Sequence, residues 1–208
     1  MQTPRDIDTV LFDIGNVLVR WDPRLLYRDA FASAADLEAF LAEVCPPSWN
    51  HEMDLGKPFA QAVAERQQLY PQHGALIARW HSGWEAMLGE ENATMVGLLP
   101  RLAEAGYRLF ALTNWSPETF PVARRRYPWL QHFAQIVVSG EVGLAKPDPA
   151  IFHLALRHSA RTADRVLFID DSAANTAAAS ALGFATITFT DADACLSGLR
   201  ELGVTVDG

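Results

Sequence analysis

Three observations predict an α/β fold for this chain of 208 residues, with a parallel sheet covered by helices on both faces. Short runs rich in Val, Ile, Leu and Phe recur along the sequence, and helix-like segments separate them. The runs are continuously apolar rather than alternating, which is the pattern of strands buried on both faces of a parallel sheet. One long stretch between the first and second runs breaks this rhythm and reads as helical throughout, so an insertion is expected there.

The elements follow in order. Thr9–Phe12 is the first strand. Residues 22–92 then carry PRLLYRDAF, ADLEAFLAEV, PFAQAVAERQQLY and ALIARWHSGWEAML, helical patterns separated by Pro and Gly. They predict an inserted α-helical cap, with hinges at Val19–Pro23 and Gly89–Asn92, on a Rossmann-like catalytic core of residues 1–21 and 93–208. In the core, strands are expected at Tyr107–Leu112, Gln135–Val138, Val166–Ile169 and Ala185–Phe189. Helices are expected near Ala93–Ala105, Pro117–Arg126, Pro149–His158, Ala173–Leu182 and Ala192–Leu202. Ser116, Asp148 and Ser172 stand where N-caps belong, two of them before a proline at the first helical position. Right-handed crossovers bring the C-terminal ends of all the strands to one edge, where open α/β sheets bind ligands. Three helices also begin there, and helix N-termini favour anions.

Composition narrows the partners. The net charge is −8 with no basic run, which argues against nucleic acid and anionic membrane surfaces. No apolar run is long enough to span a bilayer, and the N-terminal MQTPRDIDTV has no basic segment followed by an apolar one, so a soluble cytoplasmic protein is expected. Cys45 and Cys195 have neither the number nor the spacing of a disulfide framework or a metal site. Nothing in the sequence specifies an oligomeric state.

Four polar clusters sit at or just after strand ends: Asp13 in VLFDIGNVLV, Thr113 and Asn114 in LFALTNWSPE, Lys146 in GLAKPDPAIF, and Asp170 and Asp171 in RVLFIDDSAAN. Taken singly, each has an ordinary explanation. A strand-end aspartate caps a turn, Thr-Asn makes a polar loop, and most lysines are solvated. Together they supply what phosphoryl transfer needs. Asp13 is a carboxylate able to attack phosphorus. Thr113 and Asn114 offer a hydroxyl and an amide to phosphoryl oxygens. Lys146, biased toward extended backbone by Pro147, offers a cation. Asp170 and Asp171 would repel each other and Asp13 unless a divalent ion such as Mg²⁺ joined them.

The order, strand-end placement and spacing of these clusters resemble those of the haloacid dehalogenase-like hydrolase superfamily, over essentially the whole chain. The resemblance implies that Asp13 is the nucleophile, Thr113 the phosphate-binding hydroxyl, Lys146 the family's active-site lysine and Asp170 a metal ligand, with Asp171 beside it. It implies Mg²⁺ held by Asp13, the backbone carbonyl of Gly15 and Asp170. FDIGNVLV, LTN, KPDPAIF and DDSAAN are most similar to the branch containing glucose-1-phosphate phosphatases. The implied activity is Mg²⁺-dependent hydrolysis of a small phosphorylated metabolite, such as a sugar 1-phosphate, through a phosphoaspartate.

One departure matters. Phosphatases of this superfamily usually carry a second aspartate two residues after the nucleophile as general acid and base, and this chain has Gly15. That glycine predicts a preference for leaving groups that need little protonation, unless Asp22, His51, Glu52 or water takes over the role. Trp115 is a candidate substrate contact, whereas Trp80 and Trp84, four apart, are read as core. The histidines at 73, 81, 132, 153 and 158 form no ligand pattern. Two alternatives remain from the sequence: a metal-free haloacid dehalogenase, disfavoured by Asp170 and Asp171, and a non-catalytic phosphate-binding module, motivated by Gly15.

Overall fold

The computed structural model describes residues 6–205. The outer bounds of the predicted core, and half of the N-terminal segment read for a leader, lie outside the described residues. Strands β1 (Thr9–Phe12), β2 (Val19–Trp21), β3 (Leu88–Glu91), β4 (Arg108–Thr113), β5 (Gln135–Val138), β6 (Val166–Asp170) and β7 (Ala185–Thr188) form two sheets. The larger is parallel, in the order β5-β4-β1-β6-β7, and β2 and β3 make an antiparallel pair. Helices α1 (Arg24–Tyr27), α2 (Ala34–Glu43), α3 (Pro47–Asp54), α4 (Phe59–Leu69) and α5 (Gly74–Ser82) lie between β2 and β3. Then come α6 (Ala93–Glu104), α7 (Phe120–Arg126), α8 (Ser139–Val142), α9 (Pro149–Ser159), α10 (Ala173–Ala181) and α11 (Ala192–Glu201).

The continuous apolar runs have the cause expected of them. Every residue of β1 and β6 is buried. Alternate residues feed opposite layers: Val10, Phe12, Leu109, Ala111, Leu167 and Ile169 join one hydrophobic cluster, and Leu11, Phe110, Leu112 and Phe168 the other. The helical insertion has its own aromatic centre, with Trp80 packed on Trp49 at 5.2 Å, Tyr27 at 6.3 Å and Trp21 at 6.4 Å between ring centres. Cys45 and Cys195 are free and buried, and burial pushes both thiols up to about 12.

Three expectations change. The segments expected as hinges overlap β2 and β3, which pair with each other, so the chain enters and leaves the insertion through a hydrogen-bonded ribbon. The helix expected from Pro117 begins at Phe120. Pro121 has no N–H to give to the Pro117 carbonyl, so a helix begun at Pro117 would lose its first hydrogen bond, and α7 instead starts where Pro121 falls in the first turn. Ser116 consequently caps a turn, accepting from the Glu118 N–H at 3.2 Å. Thr113 and Asp170 are the last residues of their strands rather than the first of the following loops. Asp148 and Ser172 do cap α9 and α10, through the N–H groups of Ala150 and Asn175.

The short helix α8, directly after β5, approaches the Trp115–Pro117 segment very closely. A Cβ on Gly140 would lie 2.3 Å from Pro117 Cδ and 3.0 Å from the Trp115 carbonyl oxygen. Gly140→Ala should therefore destabilise the fold by ~1–3 kcal/mol, the usual scale of overpacking, read as a lower urea midpoint. An unchanged midpoint would mean that α8 shifts freely.

Candidate active site

The parallel topology sets strands β4, β1 and β6 side by side, so Thr113, Asp13 and Asp170 emerge together at the C-terminal edge of the sheet. The backbone N–H of Asp13 bonds the Ile169 carbonyl at 2.8 Å, fixing the first aspartate beside the second. Lys146 comes from the loop between α8 and α9, just before a cis bond to Pro147. Asn114 holds that loop from both sides: its amide donates to the Lys146 carbonyl and its carbonyl accepts from the Lys146 N–H, each at 2.9 Å. The amide expected at a phosphate is thus engaged in positioning Lys146.

Lys146 is not a solvated lysine. Its side chain is 1% exposed, with Nζ 2.8 Å from Asp13 Oδ2 and 2.7 Å from Asp170 Oδ2. Burial works against its charge, but the charges and hydrogen bonds of both carboxylates outweigh burial and raise its pKa above the ordinary lysine value. Burial pushes the Asp13 carboxyl up to about 7, against the pull of Lys146 and with the repulsion of Asp170 and Asp171. Its Oδ1 accepts from the Ile14 N–H at 2.7 Å. Asp171 is also raised, first by burial and then by the charge of Asp170, and its Oδ2 accepts from Asn16 at 3.3 Å.

Asp170 has no exposed surface. Its Oδ1 accepts from the Ser172 N–H at 2.8 Å and from Asn175 Nδ2 at 2.9 Å, while Oδ2 takes Lys146. Asn175, in the first turn of α10, is a site residue that the sequence reading missed. A polar residue facing strand ends from an Ala-rich helix was the available signal.

The donor set suits a hard divalent cation. One carboxylate oxygen from each of Asp13, Asp170 and Asp171 lies within 4.8 Å of the others. Three carboxylates face one ammonium, so a cation would offset an excess of negative charge. Gly15 lines the same cavity, where its carbonyl could add an oxygen ligand. A Cβ there would meet nothing within 4 Å, and the backbone avoids the left-handed region. The adjacent Asn16, at φ 57°, takes the left-handed turn position instead and accepts from the Trp21 N–H at 3.0 Å.

These groups open on a cavity of about 200 Å³. Thr113 contributes a fully buried hydroxyl with no partner among the described residues, a group that ordinarily has one. Its lining also includes Trp21, Asn50, Asp54, Trp84 and Trp115. Trp84 is buried, as a core residue should be, yet it also faces the cavity, with its ring 5.4 Å from that of Trp115. Asn50 and Asp54 sit four apart on α3 and hydrogen-bond at 2.8 Å. Among the sequence candidates for a proton donor, Asp22 is tied to Arg20 and Arg24 and Glu52 to Lys57. Neither they nor His51 line the cavity.

Comparison with known proteins agrees with this architecture. The chain is 27% identical over 199 residues to the sesquiterpene phosphatase astK of Aspergillus oryzae, covering 92% of this chain and 94% of that one. It superposes on a HAD-like family hydrolase from Porphyromonas gingivalis with a TM-score of 0.71 and 25% identity, covering 94% and 98% of the two chains. A HAD family enzyme from Bacteroides thetaiotaomicron, solved in complex with magnesium and inorganic phosphate, has the same fold at a TM-score of 0.69 and 22% identity, over 88% of this chain and 94% of that one. The model of the haloacid dehalogenase-like hydrolases matches residues 7–183, and with the sheet order and strand-end carboxylates described above the chain belongs to that hydrolase family.

Proposed function

We propose that this hydrolase is a Mg²⁺-dependent phosphatase acting in the cytoplasm on a small phosphorylated metabolite, with Asp13 as nucleophile. The observation that carries this reading is the convergence of Asp13, Lys146 and the unpartnered Thr113 hydroxyl on one cavity, beside three carboxylates spaced for a cation. Residues 22–92 would act as a helical cap over a core of residues 1–21 and 93–208, since the insertion contributes Asn50, Asp54 and Trp84 to the cavity wall.

In this mechanism Thr113 donates to a phosphoryl oxygen, satisfying a hydroxyl that otherwise has no partner. Lys146 keeps Asp13 ionised and aimed, and Asn114 holds the Lys146 backbone in place. The Asp13 carboxylate attacks phosphorus, the ester bond breaks, and water later releases phosphate from the aspartyl phosphate. Magnesium would be held by Asp13, the Gly15 carbonyl and Asp170, with Asp171 supporting, and supplies charge neutralisation for the phosphoryl group. The substrate is a small phosphate monoester, and the resemblance to glucose-1-phosphate phosphatases makes sugar 1-phosphates the first to try. The phosphatase activity of astK and the magnesium and phosphate bound by the Bacteroides enzyme support the reading.

The test is a panel of phosphate monoesters assayed with Mg²⁺ and with chelator. Phosphate release that stops with chelator and returns with Mg²⁺ is expected. Metal-independent chloride release from 2-chloroacids, without phosphate release, would replace the phosphatase with a dehalogenase. Phosphate binding without turnover of any ester would leave only a binding module.

A further inference from the structure

Resting on the phosphatase reading, we propose that Asp54, delivered from the helical insertion, is the general acid and base that the chain lacks at Gly15. Asp54 is the last residue of α3 and lines the cavity that holds Asp13, Gly15 and Lys146. Its position is fixed by contacts to the core. Its backbone carbonyl accepts the Ser139 hydroxyl hydrogen, and Ser139 Oγ in turn accepts the Trp115 N–H at 2.9 Å. Two residues on, Gly56 has φ 100°, and a Cβ there would lie 2.9 Å from the Gly140 carbonyl oxygen. A glycine is therefore required at the seam that brings α3 down onto the core. Asn50 holds the Asp54 carboxylate at 2.8 Å from the preceding turn of the same helix.

The side chain is placed to act where Gly15 cannot. The space at Gly15 is open, since a Cβ there meets nothing within 4 Å. A leaving group there is left to another side chain of the same cavity, and Asp54 is one of its lining residues. The charged groups that line the cavity with Asp54 are Lys146, Asp13 and Asp171. Burial pushes its carboxyl up to about 7, more than the field of Lys146 and the Asn50 hydrogen bond pull it down. Both protonation states are then accessible near neutral pH, as a group that gives and retakes a proton requires.

The steps balance. Asp13 Oδ bonds to phosphorus as the ester P–O bond breaks, and the departing oxygen takes the Asp54 proton to leave as an alcohol. The Asp54 carboxylate then takes a proton from water as the water oxygen bonds to phosphorus. The P–O bond to Asp13 breaks, which regenerates the Asp13 carboxylate and the Asp54 acid and frees inorganic phosphate. With Asp54 in this role, the leaving-group selectivity expected from Gly15 is absent in the wild type and appears only when Asp54 is removed.

The experiment compares kcat/KM for benzyl phosphate, whose alkoxide needs a proton, with p-nitrophenyl phosphate, whose phenolate does not, both with Mg²⁺. Asp54→Asn should lower the benzyl value by about 10²-fold or more, the scale of general acid catalysis, and leave the p-nitrophenyl value within a few-fold. Gly15→Asp added to Asp54→Asn should recover benzyl phosphate hydrolysis, because the carboxyl then enters from the open Gly15 position. Equal losses on both esters, unrepaired by Gly15→Asp, would make Asp54 structural and overturn the inference, as would no loss on either. A wild type inactive on both esters fells the phosphatase reading and this inference together. An active wild type with unselective Asp54 variants fells the inference alone.

Discussion

Asp13→Asn should lower the turnover of p-nitrophenyl phosphate by about 10⁴–10⁶-fold, the range over which removing a member of a covalent catalytic constellation acts. Asparagine keeps the shape and an oxygen that can accept from the Ile14 N–H, which Asp13 Oδ1 does at 2.7 Å. It loses the charge that attacks phosphorus. Folding should persist, because two changes oppose each other. Lys146 loses one of its two carboxylate partners, while a buried carboxyl whose pKa burial has already raised is neutralised. Acid-quenched wild type should carry phosphate on Asp13, and the variant none. Wild-type rates in Asp13→Asn would sink the nucleophile, and a variant that is inactive because it has unfolded would show in its circular dichroism.

The parts of the site that were legible in the sequence are those the sheet topology fixes. Asp13, Thr113 and Asp170 end or follow short, continuously apolar runs, and a charged or polar group at the end of a buried strand must meet something. Parallel strands then leave one place for that meeting, the shared C-terminal edge. Lys146 was legible for a related reason, since a lysine before Pro147 between predicted elements stands on the same edge. Pairing of side chains was less legible. Asn114 looks equally fit for a phosphate or for backbone, and only the fold shows that the Lys146 peptide groups lie on both sides of its amide.

The insertion was least legible. α3 (PSWNHEMD) falls outside the four helical patterns read in the insertion, so nothing singled out Asn50 and Asp54, while Asp22, His51 and Glu52 drew attention. The approach of α3 depends on Gly56 and Gly140 meeting across a seam of distant residues, which no local pattern encodes. Helix boundaries failed where two prolines compete: Pro117 looks like a first helical residue until Pro121 forbids the hydrogen bond back to it.

Lys146→Met should remove activity and also destabilise the protein by about 3–5 kcal/mol near neutral pH, the cost of leaving buried charge without its partner. Methionine fills much of the same volume, so the loss is electrostatic rather than a cavity. The pH dependence separates the two. Lys146 has a folded pKa above its ordinary value, so its contribution is complete below about pH 10 and cannot vary between about pH 5 and 8. Asp13 can vary. Burial already raises its carboxyl to about 7, and without the ammonium it rises further. A carboxyl raised on folding binds a proton as the chain folds, so stability falls as pH climbs from the unfolded value near 3.9 through the folded one. The difference between variant and wild type in urea unfolding should therefore be largest at about pH 8 and shrink at about pH 5, where Asp13 is protonated. Mg²⁺ should narrow it at the higher pH by binding only the folded carboxylates. A pH-independent difference would mean that Lys146 stabilises by packing, on Phe168 among others, whose ring centre lies 5.7 Å from its Nζ, and not by holding the carboxylates together.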